Sequence, residues 1–268
     1  GGVGVGRPPP PRDGCVDVWV LDVGHGLSVV MQSAEEALVY DTAAASPEST
    51  SVAERVLLPF LRDRGIASVD ELVISHADND HAGGAADVID NVVVGRVLAG
   101  EPVEGIDTER CEAGMTWYWR YVRFVVLHPG DKADAGNDAS CVILAHIGDH
   151  RVLFSGDIES GVEAALVRSR VLSPVDVVIV PHHGSRTSST GPFVRAVEPD
   201  IAIVSAAYRN HWGFPKPDVV ARWRSVGARV LTTADSGAIN IRICVDSGTA
   251  VPREWRKQRR RIWRRDDS

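Results

Sequence analysis

Four side chains that can bind a metal ion stand close together in one short segment. His76, Asp78, Asp80 and His81 lie within six residues, directly after the apolar run 72–74. Imidazole binds zinc, manganese and iron, and carboxylates favour harder ions such as manganese. In an extended turn, side chains two apart point the same way, so His76 and Asp78 can share one ion while Asp80 and His81 face another. A solvated polar loop is the alternative, but this density of donors favours half of a metal site.

Two later segments also place donors at the ends of apolar strands. Asp157 follows the run Phe154-Ser155-Gly156, although an aspartate there could simply cap the helix that starts near Glu159. His182 and His183 follow the apolar stretch 175–180 and precede Gly-Ser. A purely structural reason for paired histidines at the end of a buried strand is hard to find. We expect at least one of them to be a ligand or a proton donor.

The composition is that of an ordinary folded protein. The 268 residues are 44% hydrophobic and 24% charged, and the net charge is −7. The last 16 residues, 253–268, hold eight basic and three acidic side chains, so they carry 8 − 3 = +5 and the remainder −7 − 5 = −12. No apolar run reaches the roughly 18 residues that span a bilayer. Because residue 1 is Gly, we expect the chain to be a fragment of a longer protein.

Three regions are predicted along the chain. Residues 1–14 are rich in glycine and proline and predict a linker, residues 15–250 predict one folded unit, and residues 251–268 form a basic tail. In the tail, Trp255, Ile262 and Trp263 fall on one helix face, which could bind anionic lipid or DNA phosphates, or the tail could be solvated. The four cysteines form no C-x-x-C pair and are interpreted as small buried hydrophobic residues.

Many short strands alternate with helices, which predicts an α/β sandwich with helices outside two packed sheets. Ser51 and Glu54 have the spacing of a capping box that opens a helix, and Pro217 is expected to open another. Residues 70–75, 152–155 and 175–180 are predicted strands that end at the candidate metal ligands.

Together these segments resemble the metallo-β-lactamase superfamily, and more closely the C-terminal metallo-β-lactamase-like domain of the ComEC family of DNA-uptake proteins. The resemblance covers most of residues 16–245, and its order and spacing are more specific than any single segment. The matching segments are Leu21-Asp22-Val23-Gly24-His25-Gly26-Leu27-Ser28, Tyr40-Asp41-Thr42, His76 to Gly84, Asn137-Asp138-Ala139-Ser140, Gly156-Asp157-Ile158, His182-His183-Gly184-Ser185 and Asn210-His211-Trp212-Gly213-Phe214-Pro215.

The resemblance implies an αββα four-layer sandwich that binds two divalent ions, with manganese favoured and zinc possible. It implies hydrolysis of a phosphodiester, with the two ions clamping the attacking and leaving oxygens. His76 and Asp78 would hold one ion, and Asp80, His81 and one of the two adjacent histidines the other. The predicted metal ligands are thus His76, Asp78, Asp80, His81, Asp157 and His182, with Asp157 as the bridge. The predicted catalytic residues are Asp80, Asp157 and His183, and the predicted substrate-binding residues are Ser185, Asn210, His211 and Asn137.

Three positions depart from the pattern of that resemblance. Asp78 replaces the second histidine of the superfamily's usual H-x-H-x-D-H loop, as is typical of the ComEC-like branch. His25 stands where that branch usually has glutamine, and Phe214 stands where relatives often have histidine. A further histidine ligand is not evident, and Asn137, Asp138 and His128 are the remaining candidates.

The resemblance also implies a place in the cell and partners. We expect a nuclease domain of an inner-membrane DNA-uptake protein, exposed on the extracytoplasmic face, that degrades or processes the strand that is not transported. Its partners would be DNA, a membrane channel segment of the same protein and other competence proteins, and the isolated domain would be monomeric. The alternatives are hydrolysis of a small phosphodiester or thioester, or non-catalytic DNA docking.

Overall fold

Two mixed β-sheets pack face to face, and helices cover their outer faces. The apolar core between the sheets includes Val18 and Phe124. A second core, with Leu57, lies between the first sheet and its helices, and a third, with Trp223, lies between the second sheet and its helices. The predicted αββα sandwich is therefore confirmed. The structure is a computed structural model that describes residues 8–46, 48–130, 135–249 and 251–256.

The first sheet combines an antiparallel and a parallel part. Its order is β15-β14-β1-β2-β3-β4-β5-β6, and β16 also pairs with β14. The strands from β3 to β6 run parallel, so the ends of β3 and β4 lie at the same edge. The strands are β1 Cys15–Val20, β2 Val29–Gln32, β3 Ala37–Tyr40, β4 Ser68–Ile74, β5 Val93–Ala99, β6 Glu109–Arg110, β14 Ile239–Cys244, β15 Gly248–Thr249 and β16 Arg253–Glu254.

The second sheet has the order β13-β12-β11-β10-β9-β8-β7. The strands from β10 to β13 run parallel, and this places the residues that follow β10, β11 and β12 side by side. The strands are β7 Thr116–Trp119, β8 Val122–His128, β9 Val142–Ile147, β10 His150–Phe154, β11 Val177–Ile179, β12 Ile201–Val204 and β13 Arg229–Thr232.

Two of the predicted helix starts are confirmed. The Ser51 hydroxyl accepts from the Glu54 amide at 3.1 Å, and the Glu54 carboxylate accepts from the Ser51 amide at 3.2 Å, which confirms the capping box. Pro217 is the first residue of its helix, as predicted. The helices are α1 Leu58–Asp63, α2 Asn79–Ala82, α3 Ala85–Asn91, α4 Ser160–Ser169, α5 Gly191–Val197, α6 Pro217–Ser225 and α7 Thr233–Ser236, with a π-helical segment Ala53–Leu57 and 3-10 turns Gly136–Ala139 and Pro181–Gly184. None of the helices in these described ranges is long and apolar enough to cross a membrane.

The cysteines are not free hydrophobic residues, and that prediction was wrong. Cys15 is bonded to Cys244, and Cys111 to Cys141. The first pair forms because β1 and β14 are neighbours, with Cys15 directly opposite Cys244. All four are buried, as expected, but as disulfides.

The folded part reaches beyond the predicted boundary at residue 250. Arg253 and Glu254 form a strand on β14. The Trp255 ring packs edge-to-face on Trp19 at 6.0 Å between centroids. Ile262 and Trp263, which the predicted helix face requires, lie outside the described residues.

Candidate metal centre

The candidate ligands meet where strands of both sheets end at one side of the sandwich. In the first sheet, Asp41 follows β3, and the segment with His76 follows β4. In the second sheet, Asp157 follows β10 and the His182–His183 pair follows β11. Parallel neighbours carry their last residues to the same edge, so segments far apart in sequence converge. The three predicted segments therefore do lie together.

One set of donors is fully buried. Ligand atoms of His76, His81 and Asp157 all lie within 4.8 Å of one another. The Asp157 Oδ2 atom is 3.2 Å from Nε2 of His81. The buried Nε2 of His76 makes no hydrogen bond to the part of the chain that the structure describes, although an oxygen of Asp78 lies 3.5 Å away. A buried imidazole nitrogen without a hydrogen bond, beside an imidazole and a carboxylate, fits a metal ion.

A second set lies nearer the surface. It contains His25, Asp80 and His183, again with ligand atoms within 4.8 Å of one another. The Asp80 Oδ2 atom is 3.2 Å from Nε2 of His25 and 3.3 Å from Nε2 of His183. Nε2 of His183 is also 3.4 Å from Asp157 Oδ2, so the two sets are in direct contact.

Three histidines are oriented by hydrogen bonds through Nδ1. Nδ1 of His81 is 2.7 Å from Asp41 Oδ2, and Nδ1 of His183 is 3.0 Å from the Ser205 carbonyl. Nδ1 of His76 is 3.0 Å from the hydroxyl of Ser75, which itself donates to Asp41 Oδ2. With Nδ1 as the donor in each case, Nε2 is the nitrogen that would bind an ion, and a ring that is protonated would release its Nε2 proton when the ion binds. The histidines are thus arranged as metal ligands usually are.

The field of the cluster keeps both carboxylates ionised. Burial alone would raise the pKa of Asp157, but the charge of His81 and His183 holds it well below its usual range. Burial likewise opposes ionisation of Asp80, yet a hydrogen bond from His183 and the charge of His81 lower its pKa to about 2. Burial would lower the pKa of His81, but Asp157 and Asp41 raise it well above its usual value. Ionised carboxylates are the form that binds cations.

The grouping predicted from the sequence also fits the distances. Nε2 of His81 lies 3.6 Å from Asp80 Oδ2 and 3.3 Å from Nε2 of His183, as well as beside His76 in the buried set. The side chain of Asp78 is 58% exposed and lies outside both sets. Which of these atoms bind metal stays a prediction.

His183, and not His182, enters a three-donor set. Both residues have left-handed backbone conformations, with φ of 50° and 52°, which turn the two rings apart. Nε2 of His182 remains 4.0 Å from Asp157 Oδ2, and its Nδ1 contacts Glu159 at 3.3 Å and Thr187 at 3.0 Å. His182 therefore lies at the edge of the cluster.

Three of the predicted substrate-binding residues, Ser185, Asn137 and His211, each contact a different neighbour. The Ser185 hydroxyl is buried and lies 3.2 Å from that of Thr187. The Asn137 amide donates to Glu159 at 3.3 Å. His211 is exposed, and its ring lies 3.4 Å from that of Trp212.

Two other predicted residues have roles within the fold. The Asn210 amide donates to the carbonyls of Ala207 and Phe214 and accepts from the Phe214 amide, so it closes its own loop. Nε2 of His128 donates to the Asp138 carbonyl at 2.7 Å, and His128 lies outside both donor sets.

Sequence reasoning assigned no role to Asp41 and Ser75. Asp41 is fully buried, and its carboxylate accepts from His81, from the Ser75 hydroxyl and from the Ser75 amide at 2.6 Å. The available signal was a carboxylate directly after an apolar strand, in the segment Tyr40-Asp41-Thr42.

The fold and the donor sets define a class of protein that comparison with known proteins confirms. The family model of the metallo-beta-lactamase superfamily matches residues 21–208, and the chain belongs to that superfamily. The solved metallo-beta-lactamase fold protein YhfI from Bacillus subtilis superposes with a TM-score of 0.52 at 10% identity. That superposition covers 81% of this chain and 95% of YhfI. This likeness concerns the fold alone.

Within the superfamily, the relatives that match most of the chain include a recombination protein and a competence protein. Recombination protein 2 of Haemophilus influenzae is 36% identical over 85% of this chain and 29% of its own length. Competence protein ComA of Neisseria gonorrhoeae is 34% identical over 86% of this chain and 32% of its own length. The chain thus spans about a third of the length of these relatives.

Proposed function

We propose that this domain is a metal-dependent phosphodiester hydrolase that cuts DNA. The observation that carries the proposal is the pair of donor sets with Asp157 between them: its Oδ2 is 3.2 Å from His81 Nε2 and 3.4 Å from His183 Nε2. Superfamily members are generally metal-dependent hydrolases. Two adjacent cation sites suit an in-line displacement at phosphorus.

Each residue has a role in this proposal. His76 and Asp78 would hold one divalent ion, and Asp80, His81 and His183 the other, with Asp157 beside both. The carboxylates favour manganese, and the imidazoles also allow zinc. When bound, the two ions would supply positive charge that acidifies water and stabilises the attacked phosphate.

Proton positions follow from the hydrogen bonds. The ionised Asp80 carboxylate, with its low pKa, would accept a hydrogen bond from the attacking water and orient it. Asp41 holds Nδ1 of His81 in its protonated form. His211, exposed beside Trp212, is the group proposed to protonate the leaving oxygen.

The choice of DNA as substrate is supported by the relatives. Two of them are named a recombination protein and a competence protein. The net charge of −7 opposes binding of a polyanion at a distance. In this proposal the bound ions supply the positive charge locally, and exposed Arg186 and Arg209 lie in segments adjoining the cleft.

The disulfides support a location outside the cytoplasm. Bonds such as Cys15–Cys244 and Cys111–Cys141 persist in oxidising compartments and are rare in the cytosol. We place the domain on the outer face of the inner membrane, joined to a channel segment and working with other competence proteins. There it would degrade or process the strand that does not enter the cell.

A cleavage assay tests the proposal. The purified domain, freed of metal and then given Mn²⁺ or Zn²⁺, is incubated with linear single-stranded and duplex DNA. We expect cleavage that needs the metal and that Asp80→Ala reduces about 100-fold or more. Asp149→Ala, on the exposed β9–β10 turn, is the matched control and should cut normally.

Other outcomes identify the alternatives. Hydrolysis of bis(p-nitrophenyl) phosphate or of a thioester, without DNA cleavage, would indicate a small-molecule hydrolase. Metal-independent DNA binding without any hydrolysis would indicate a docking domain. Either result would overturn the nuclease proposal.

A further inference from the structure

His25 lies on a loop that is fixed against both segments that carry the other members of its donor set. It stands between Gly24 and Gly26, whose φ angles of 76° and 108° suit glycine. A Cβ on Gly26 would lie 2.3 Å from the Asp80 carbonyl oxygen, so only glycine lets the loop approach so closely. The Leu27 amide donates to that same carbonyl at 3.1 Å. The loop after β1 is thus joined directly to the segment that bears Asp80.

The same loop is tied to the support of His183. The Ser205 hydroxyl donates to the Gly26 carbonyl at 2.7 Å. The carbonyl of Ser205 accepts from Nδ1 of His183 at 3.0 Å. One residue therefore positions both the loop of His25 and the ring of His183, and a bare surface ion pair would need no such framework.

An aromatic ring holds the imidazole of His25 in place. The ring of Trp212 stacks on it, with 3.9 Å between centroids and 16° between planes. Nε2 of His25 points toward Asp80 Oδ2, 3.2 Å away. Trp212 itself is 41% exposed, and its ring also lies 3.4 Å from that of His211. Without the stacking of Trp212, a half-exposed histidine could adopt other rotamers.

The residues of the loop that carries Trp212, and His182, do not take the place of His25 as a donor. Phe214, on the loop that closes the same side, is apolar, and its ring lies 6.2 Å from that of His182. The Asn210 amide is used within its loop. His211 and His182 belong to neither three-donor set among the described residues. Nε2 of His81 also lies 3.6 Å from Asp80 Oδ2 and 3.3 Å from Nε2 of His183, so His25 adds a further protein donor to these three.

We propose that His25 is a further protein ligand of the ion held by Asp80 and His183, and that Trp212 is the residue that positions it. This inference rests on the two-metal part of the proposed function and not on the identity of the substrate. It predicts that the affinity for one ion depends on the loop after β1, which carries His25, and that the affinity for the other does not.

Metal titration without substrate tests the inference. Metal-free wild-type protein is titrated with Mn²⁺ by calorimetry, and the metal retained after gel filtration is measured by mass spectrometry. We expect two ions in the wild type. In His25→Ala and His25→Gln, one ion should bind as before, and the dissociation constant of the other should rise about 10-fold or more.

Variants of Trp212 separate positioning from bulk. Trp212→Ala should weaken the same ion about 3- to 10-fold, and Trp212→Phe, which retains a flat ring, should restore most of the affinity. His146→Ala, on β9 and remote from the cleft, is the control and should bind both ions normally.

Several results would overturn the inference. Wild-type binding of both ions by His25→Ala and His25→Gln would remove His25 as a ligand, and so would a wild-type protein that binds only one ion. An unchanged affinity in Trp212→Ala would remove the positioning role. Because no DNA is present, a wild-type protein that binds two ions but cuts no DNA would refute the proposed substrate and leave this test valid.

Discussion

Asp157 Oδ2 lies 3.2 Å from Nε2 of His81, although Asp157 follows a strand of the second sheet and His81 lies on α2, after a strand of the first. The contact therefore joins the two halves of the sandwich. The same oxygen lies 3.4 Å from Nε2 of His183, which makes this carboxylate the connection between the two donor sets. The distance between the two donor sets therefore depends on how the two sheets pack against each other.

Replacing Asp41 by Asn should weaken metal binding without removing a proposed ligand. The Asp41 carboxylate accepts from Nδ1 of His81 at 2.7 Å and from the hydroxyl of Ser75, which contacts His76. An amide at this position could not accept all these hydrogen bonds, so both imidazoles would lose their orientation. We expect the Mn²⁺ dissociation constant to rise about 10- to 100-fold, measured by calorimetry. Asp149→Asn is the control, and equal affinities for the two variants would contradict this role of Asp41.

Removing the Cys111–Cys141 disulfide should lower stability and loosen the cleft. The bond closes a loop of 30 residues in sequence separation, which corresponds to about 3–4 kcal/mol in the chain-entropy model. The backbone carbonyl of Cys141 also accepts a hydrogen bond from the Tyr40 hydroxyl at 2.7 Å, and Cys141 directly precedes the strand β9. We expect the double variant Cys111→Ser/Cys141→Ser to unfold at a lower urea concentration than the oxidised wild type. Reduction of the wild-type disulfides should shift its unfolding curve toward that of the variant. Identical unfolding curves for oxidised wild type and variant would contradict this expectation.

Glu71 should make stability depend on pH. Burial raises its pKa to about 7, while the hydrogen bond from Trp119 and the charge of Arg96 act against the rise and the charges of Asp70 and Glu36 add to it. The folded state therefore keeps a proton that the unfolded chain loses above about pH 4.5. The free energy of unfolding therefore falls progressively as the pH rises from about 4.5 to about 7. Above about pH 7, Glu71 adds no further change.

Glu71→Gln tests that dependence. Its amide oxygen can still accept from Nε1 of Trp119, which lies 3.0 Å from the carboxylate. We expect the free energy of unfolding of the variant, relative to wild type, to rise by about 2 kcal/mol between pH 5 and pH 8. Urea denaturation at both pH values provides the measurement. A difference that does not change with pH would show that Glu71 does not titrate in this range.

The sequence predicts much of the fold because strand periodicity and cap residues are local. The capping box at Ser51 and the first residue of α6, Pro217, are examples, and the ends of β4, β10 and β11 carry the donors as predicted. Strand order depends on packing between distant segments. For that reason the Cys15–Cys244 bond, with a sequence separation of 229, was missed.

The details of the metal centre depend on tertiary packing in the same way. His183 rather than His182 lies beside Asp80, and two adjacent identical residues give no sequence signal for which ring does so. Asp41 is beneath His81 because β3 and β4 are parallel neighbours. Asn210 was expected at the substrate, but its amide is used to close its own loop.

Asp157→Asn provides the most direct test of the shared carboxylate. The backbone N–H of residue 157 donates to the Ser140 hydroxyl at 2.9 Å. The substitution does not change this hydrogen bond and should leave the fold intact. Metal content and cleavage of linear DNA with Mn²⁺ are measured on the same samples of wild type, Asp157→Asn and the control Asp149→Asn. The account predicts that Asp157→Asn alone binds both ions more weakly and cuts DNA about 100-fold or more slowly. Wild-type cleavage by Asp157→Asn would contradict it.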